Sequence, residues 1–160
     1  MVAARGWVAG IGLHLVLVAD FAVVAEDARI WEPFSERGFT PDSGATWLLP
    51  RRIGEVRARD VLLLGRTLSG TEAADWGMVH RAVPNAQLDA VGEQLAEQLA
   101  KGPTVTVGLT KWLLHVSSAS PFDRQLEHEA LALELSSRSE DFREGLTAFK
   151  EKRSPRFSGR

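Results

Sequence analysis

The chain contains no cysteine, which removes disulfides, thiolate metal sites and cysteine nucleophiles together. It has little net charge, formally −2 over 160 residues, so there is no general electrostatic reason to expect nucleic acid as a partner. Its histidines, His14, His80, His115 and His128, fall at no helical i, i+4 spacing, and no metal site is expected. No Gly-x-Ser-x-Gly elbow is present, so Ser43 is not expected to act as a nucleophile. The apolar stretch from Ile11 to Val18 is too short to span a bilayer. The N-terminus also lacks the basic region and cleavage site of a signal peptide. Neither export nor a membrane anchor is expected, and a cytoplasmic location is compatible with this.

The chain does have the balance of a folded protein. With 44% hydrophobic and 25% charged residues, it reads as a globular domain with an appendage. Its most informative stretch is Gly6-Trp7-Val8-Ala9-Gly10-Ile11-Gly12-Leu13-His14. The glycines allow a tight turn and a close backbone approach to a ligand, and the apolar run after them reads as a buried helix. Where such a helix begins, the first amides lack intrahelical partners and the dipole adds partial positive charge. The amides near Ile11 and Gly12 therefore suit a developing oxyanion. A dinucleotide-binding turn fits poorly, because Leu15 stands where a third glycine belongs and Leu13 to Ala19 gives only about two helical turns.

Met1 to Ala4 read as the end of a strand, and Phe21 to Ala25 as a strand buried on both faces. The segment from Ala28 to Phe39 looks irregular, with Pro33 and Gly38 as breakers. A helix is expected over Arg51 to Gly65, and a short one from Ser69 to Gly77. Met78 to Val83 should form a last strand, stopped by Pro84. Asn85 is placed to cap a helix carrying Leu88, Val91, Leu95 and Leu99, which Lys101-Gly102-Pro103 ends. Helices starting after Pro103, Pro121 and Ser139 follow. The expected organisation is thus an α/β part over 1–102 and a helical module over 103–160.

In order and spacing these features resemble the crotonase superfamily, also called the enoyl-CoA hydratase/isomerase family. Its landmarks here are Gly6-x-x-x-Gly10-x-Gly12, Asp20, Pro41-Asp42-Ser43-Gly44, Leu64-Gly65-Arg66, Ala73-x-x-x-Gly77-x-Val79 and Phe149-x-Glu151-Lys152-Arg153-x-Pro155-x-Phe157. The resemblance implies the C-terminal part of a ββα spiral followed by a helical oligomerisation module. It enters in the middle of an element, which suggests that the chain starts late. It implies acyl-CoA thioester substrates, with coenzyme A as part of the substrate and no tightly bound cofactor. It also implies homotrimers, often paired into hexamers.

The resemblance supplies the site candidates. The oxyanion would be held by the backbone amide of Ile11. The two glutamates of the family's hydratases fall here on His14 and Phe34, so the usual hydration apparatus is replaced and isomerase-like proton transfer is favoured. Glu32 and Glu36 flank Phe34 and are expected as solvated charges. His14 is either a base or a core histidine. Asp42 is either the carboxylate that moves a proton or the cap of a helix beginning at Ser43. Phe149 and Lys152 match residues that meet the adenine and phosphate end of coenzyme A. The alternative to an enzyme is a catalytically impaired acyl-CoA-binding or assembly subunit.

Overall fold

A computed structural model describes all 160 residues, Met1–Arg160. Packing divides it into two compact units, Met1–Leu95 and Ala96–Arg160. The first begins with strands β1 (Val2–Ala4) and β2 (Trp7–Ala9), then helix α1 (Ile11–Val18). Strands β3 (Ala22–Ala25) and β4 (Arg29–Trp31) follow. Next come helix α2 (Ala45–Leu64), the short strand β5 (Leu68–Ser69), helix α3 (Gly70–Asp75) and strand β6 (Arg81–Val83). Helix α4 (Leu88–Ala100) runs across the division between the units.

The strands form two three-stranded sheets. In one, β3 lies between β1 and β6 with both pairings parallel. All four residues of β3 are buried, as expected of a short apolar run covered on both faces. In the other, β4 pairs parallel with β2 and antiparallel with β5. Strand β4 lies where an irregular segment was expected. All three of its residues pair with β2, Arg29 and Ile30 also pair with β5, and only Ile30 is buried, so no alternation long enough to read was available.

Three boundaries also differ from expectation. The helix expected from Arg51 begins earlier, at Ala45, and its path breaks at Gly54, where φ is 76° and ψ is 161°. Pro50, inside the same helix, removes one amide donor and crowds the preceding turn. The last strand starts at Arg81, not Met78, although Met78 and Val79 are both buried. Asn85 opens a 3-10 turn, Asn85–Gln87, and does not cap α4 directly.

Helix α3 starts where the end of β3 comes very close. A side chain at Gly70 would place its Cβ 1.9 Å from the carbonyl oxygen of Ala25, so only glycine fits that approach. Ser69 holds the same helix start: its hydroxyl accepts the Glu72 amide at 3.1 Å, and the Glu72 carboxylate accepts the Ser69 amide at 3.1 Å. That is a reciprocal capping box.

The second unit contains the end of α4 and helices α5 (Thr104–Ser117), α6 (Phe122–Ser137) and α7 (Glu140–Glu151). The division falls within α4 and not at Lys101-Gly102-Pro103. Leu88, Gly92 and Leu95 are the buried positions of that helix, and Gly92 lies against Ala3, which ties the first part of α4 to the first unit. In the second unit the tail folds back on α7. Buried Asp141 accepts the amides of Ser158 at 2.7 Å and Gly159 at 3.0 Å. Arg153 makes a two-pronged ion pair with Glu144 at 2.6 and 2.9 Å. No helix of the chain is long and apolar enough to cross a membrane.

Candidate active site

The glycine turn between β2 and α1 takes a conformation that only glycine adopts readily. Gly10 has φ 52° and ψ −127°. Its amide donates to the Trp31 carbonyl at 3.1 Å, and its own carbonyl accepts the His14 amide at 3.1 Å. That second bond is an i→i−4 bond from His14, so the amides of Ile11 and Gly12 lie ahead of it at the positive end of α1. The Ile11 side chain is 64% exposed. The turn therefore places backbone donors at a helix start, the arrangement that suits an oxyanion.

One turn further along α1, His14 is buried and its Nε2 lies 2.8 Å from Oε1 of Glu32. Glu32 follows Trp31, the residue that receives the Gly10 amide, so the same pairing that forms the turn brings the carboxyl group to the ring. This corrects the expectation that Glu32 is a solvated charge: it is 1% exposed. Its flanking residues, Trp31 and Pro33, hid this, because its partner is 18 residues away in sequence. Glu36 is exposed as expected. Phe34 is buried and stacks on the His14 ring, with centroids 6.1 Å apart.

Burial, and to a lesser extent the negative charge of Asp42, raises the Glu32 carboxyl from the usual 4.5 to about 7. Burial lowers His14 below the usual 6.5, partly opposed by the same Asp42 charge. Asp42 is exposed, and its charge is felt by both members of the buried pair. It does not cap a helix beginning at Ser43. Helix α2 starts at Ala45 with Gly44 as its N-cap, and the Ala45 amide bonds to the backbone carbonyl of Asp42, not to its carboxylate. The left-handed conformation of Gly44, φ 90°, shifts the helix start and leaves that carboxylate free of the capping role.

These shifts determine how the pair affects stability with pH. Glu32, raised, contributes stability that is fully present below 4.5 and lost as pH rises through about 7. His14, lowered, contributes stability that is present above 6.5 and lost as pH falls through its folded value. Between 4.5 and 6.5 the two trends oppose each other, since falling pH restores the Glu32 contribution while it removes that of His14. Glu32→Gln leaves only the histidine contribution. The expected result is that this pair's acid-side loss of stability begins near 6.5 in the variant and is offset by Glu32 down to 4.5 in the unaltered chain. Thermal unfolding across this pH range checks it, and identical pH profiles for the two proteins would refute it.

The other candidate residues lie in the second unit. Phe149 is 84% exposed near the end of α7. Lys152 is exposed and forms the C-cap of α7 in a left-handed conformation, φ 54°. A cavity of about 330 Å³, lined in part by Val16, Asp20, Arg52 and His80, lies near the C-terminal end of α1. It shares no lining residue with the His14–Glu32 pair and contains none of the candidate groups.

Comparison with known proteins identifies what this arrangement resembles. The sequence model described as enoyl-CoA hydratase/isomerase matches residues 1–160. The 1,2-epoxyphenylacetyl-CoA isomerase of Escherichia coli K12 is 41% identical over 158 residues, covering 99% of this chain and 60% of that protein. The carnitinyl-CoA dehydratase of Salmonella typhi is 33% identical over 166 residues, covering 99% of this chain and 62% of that protein. Among solved structures, the enoyl-CoA hydratase of Bacillus anthracis superposes with a TM-score of 0.92 at 34% identity, covering 97% of this chain and 60% of that one. The chain thus spans about three fifths of the length of these relatives.

Proposed function

Because the chain belongs to the enoyl-CoA hydratase/isomerase family of the crotonase superfamily, we propose that it acts on acyl-CoA thioesters by shifting a double bond, with Asp42 as the carboxylate that moves the proton. In this reading Asp42 takes a proton from C2 of a 3-enoyl thioester. The electrons pass into the carbonyl, and the Ile11 amide holds the resulting dienolate oxygen. Asp42 then returns the same proton to C4, and the double bond lies between C2 and C3. No atom is gained or lost, so one carboxylate is enough.

The observation that carries this reading is the exposed Asp42 carboxylate, released from the capping role by Gly44 and close enough for its charge to act on His14 and Glu32. A relative whose printed activity is isomerisation, a rearrangement without net water, supports the same preference. Assays of 3-enoyl- and 2-enoyl-CoA with this chain test it. The expected result is double-bond migration with little water addition. Vigorous hydration of the 2-enoyl substrate would overturn the proposal, and thioester binding without turnover would favour an acyl-CoA-binding subunit.

Phe149 and Lys152 are proposed to meet the nucleotide end of coenzyme A, an exposed ring for the base and an ammonium for phosphate. Lys152→Ala should weaken coenzyme A binding measurably by calorimetry. Binding that is indifferent to Lys152 would reject this role.

Self-association is proposed for the helical unit, which leaves Leu114, Phe122, Leu133 and Phe149 exposed, more large apolar side chains than an isolated surface normally leaves in water. Light scattering should report a mass above that of one chain at micromolar concentration. A stable monomer would count against it.

A further inference from the structure

His14 and Glu32 are both almost sealed from solvent, 3% and 1% exposed, and share a single 2.8 Å bond between Nε2 and Oε1. Each carries a second buried polar atom without a hydrogen-bond partner: Nδ1 of His14 and Oε2 of Glu32. Polar atoms left unpaired in a core are costly, so a merely structural pair would normally use them. The pair is also fixed at the edge of the glycine turn. Trp31, next to Glu32, receives the Gly10 amide at 3.1 Å, and Phe34, stacked on the ring, lies 3.7 Å from where a Cβ at Gly10 would be.

A neutral imidazole has one donor and one acceptor nitrogen, and the bond made by one determines the character of the other. When Glu32 is a carboxylate, Nε2 must carry the ring proton in order to donate to Oε1. Nδ1 then presents a lone pair. When the pair gains one proton, it enters at Nδ1 while the Nε2 proton passes to Oε1. Glu32 is then a neutral acid donating to Nε2, and Nδ1 has become a donor. No charge is left stranded on the ring at either end of the exchange.

We propose that Glu32 is a positioning residue for His14, and that the two form a one-proton relay in which the state of the carboxyl group sets whether the partnerless Nδ1 is an acceptor or a donor. Its use in catalysis rests on the acyl-CoA chemistry proposed above, for which it supplies a second proton-handling group beside Asp42. Asp42 is the charged group whose field reaches both members, and it favours the proton-loaded form. Burial pushes the two groups in the directions the relay requires, the carboxyl up, to about 7 with the Asp42 charge included, and the imidazole down.

The test is nitrogen-15 NMR of the ring nitrogens in the full chain, with the His14 signals identified by their loss in His14→Gln. As pH falls through about 7, the ring should remain neutral while its N–H moves from Nε2 to Nδ1. In Glu32→Gln this exchange should disappear. Formation of an ordinary imidazolium, protonated at both nitrogens at the same pH in both proteins, would overturn the relay. So would one unchanging tautomer between about pH 5 and pH 8 in the unaltered chain. The unaltered chain alone decides between these outcomes if Glu32→Gln fails to fold. In assays, Glu32→Gln should also remove the limb of the kcat profile near neutral pH with little change in KM. The spectra need no substrate, so absent turnover would refute the proposed activity and leave the relay standing, whereas an imidazolium would do the reverse.

Discussion

Asp42→Asn should reduce double-bond migration by about 100- to 10,000-fold, the range usual for losing one general acid–base group. The change keeps the size and shape of the side chain but removes the basic oxygen that would accept the C2 proton. The fold should tolerate it. The carboxylate is exposed and makes no helix-capping bond, and the bond that starts α2 uses the backbone carbonyl of residue 42, which asparagine retains. Loss of the Asp42 charge should also ease ionisation of Glu32, because that charge helps to hold the carboxyl near about 7. The variant therefore carries an internal control: a lower Glu32 midpoint reports that residue 42 lies beside the pair, whatever happens to turnover. Isomerisation that survives Asp42→Asn at an unchanged rate would remove Asp42 from the mechanism.

Part of this site was legible because its chemistry is local. The glycine turn, the helix after it and the buried strand β3 rest on backbone freedom and on a continuous apolar run, and both are written in neighbouring residues. Asp42 could be read in two ways because capping depends on where a helix starts. Here the start was set by Gly44, a residue whose left-handed conformation is permitted but not announced by its identity. Glu32 was misread for a different reason. An acid between tryptophan and proline looks like a loop charge until β4 pairs with β2 and carries it under His14. A signal did exist, since a histidine on an apolar helix face needs a partner, and an acid in the next extended segment is a reasonable place to seek one. The strand β4 itself carried no comparable signal, because three residues are too few to show a period and its pairings are non-local.

Gly10→Ala should lower kcat for isomerisation by about 100- to 1,000-fold, the usual cost of losing one oxyanion donor. Space is not the obstacle, since the nearest atom to a Cβ at this position is Cζ of Phe34 at 3.7 Å, an ordinary contact. The backbone is. At φ 52° and ψ −127°, a residue with a Cβ is strained by about 1–3 kcal/mol, and the turn relieves that strain by rotating. Gly10 is bonded on both sides, its amide to Trp31 and its carbonyl to the His14 amide, so rotation either breaks one of these bonds or tilts the first turn of α1. Either way the Ile11 amide no longer points where the turn had directed it. The loss should fall mainly on kcat, because the enolate oxygen develops its charge only as the proton leaves C2. Gly12→Ala is the matched control: Gly12 lies within α1 with nothing within 4 Å of an added Cβ, and alanine there favours the helix by up to about 1 kcal/mol. If Gly10→Ala folds and retains kcat, or if Gly12→Ala loses as much activity, the Ile11 amide is not the group that holds the enolate.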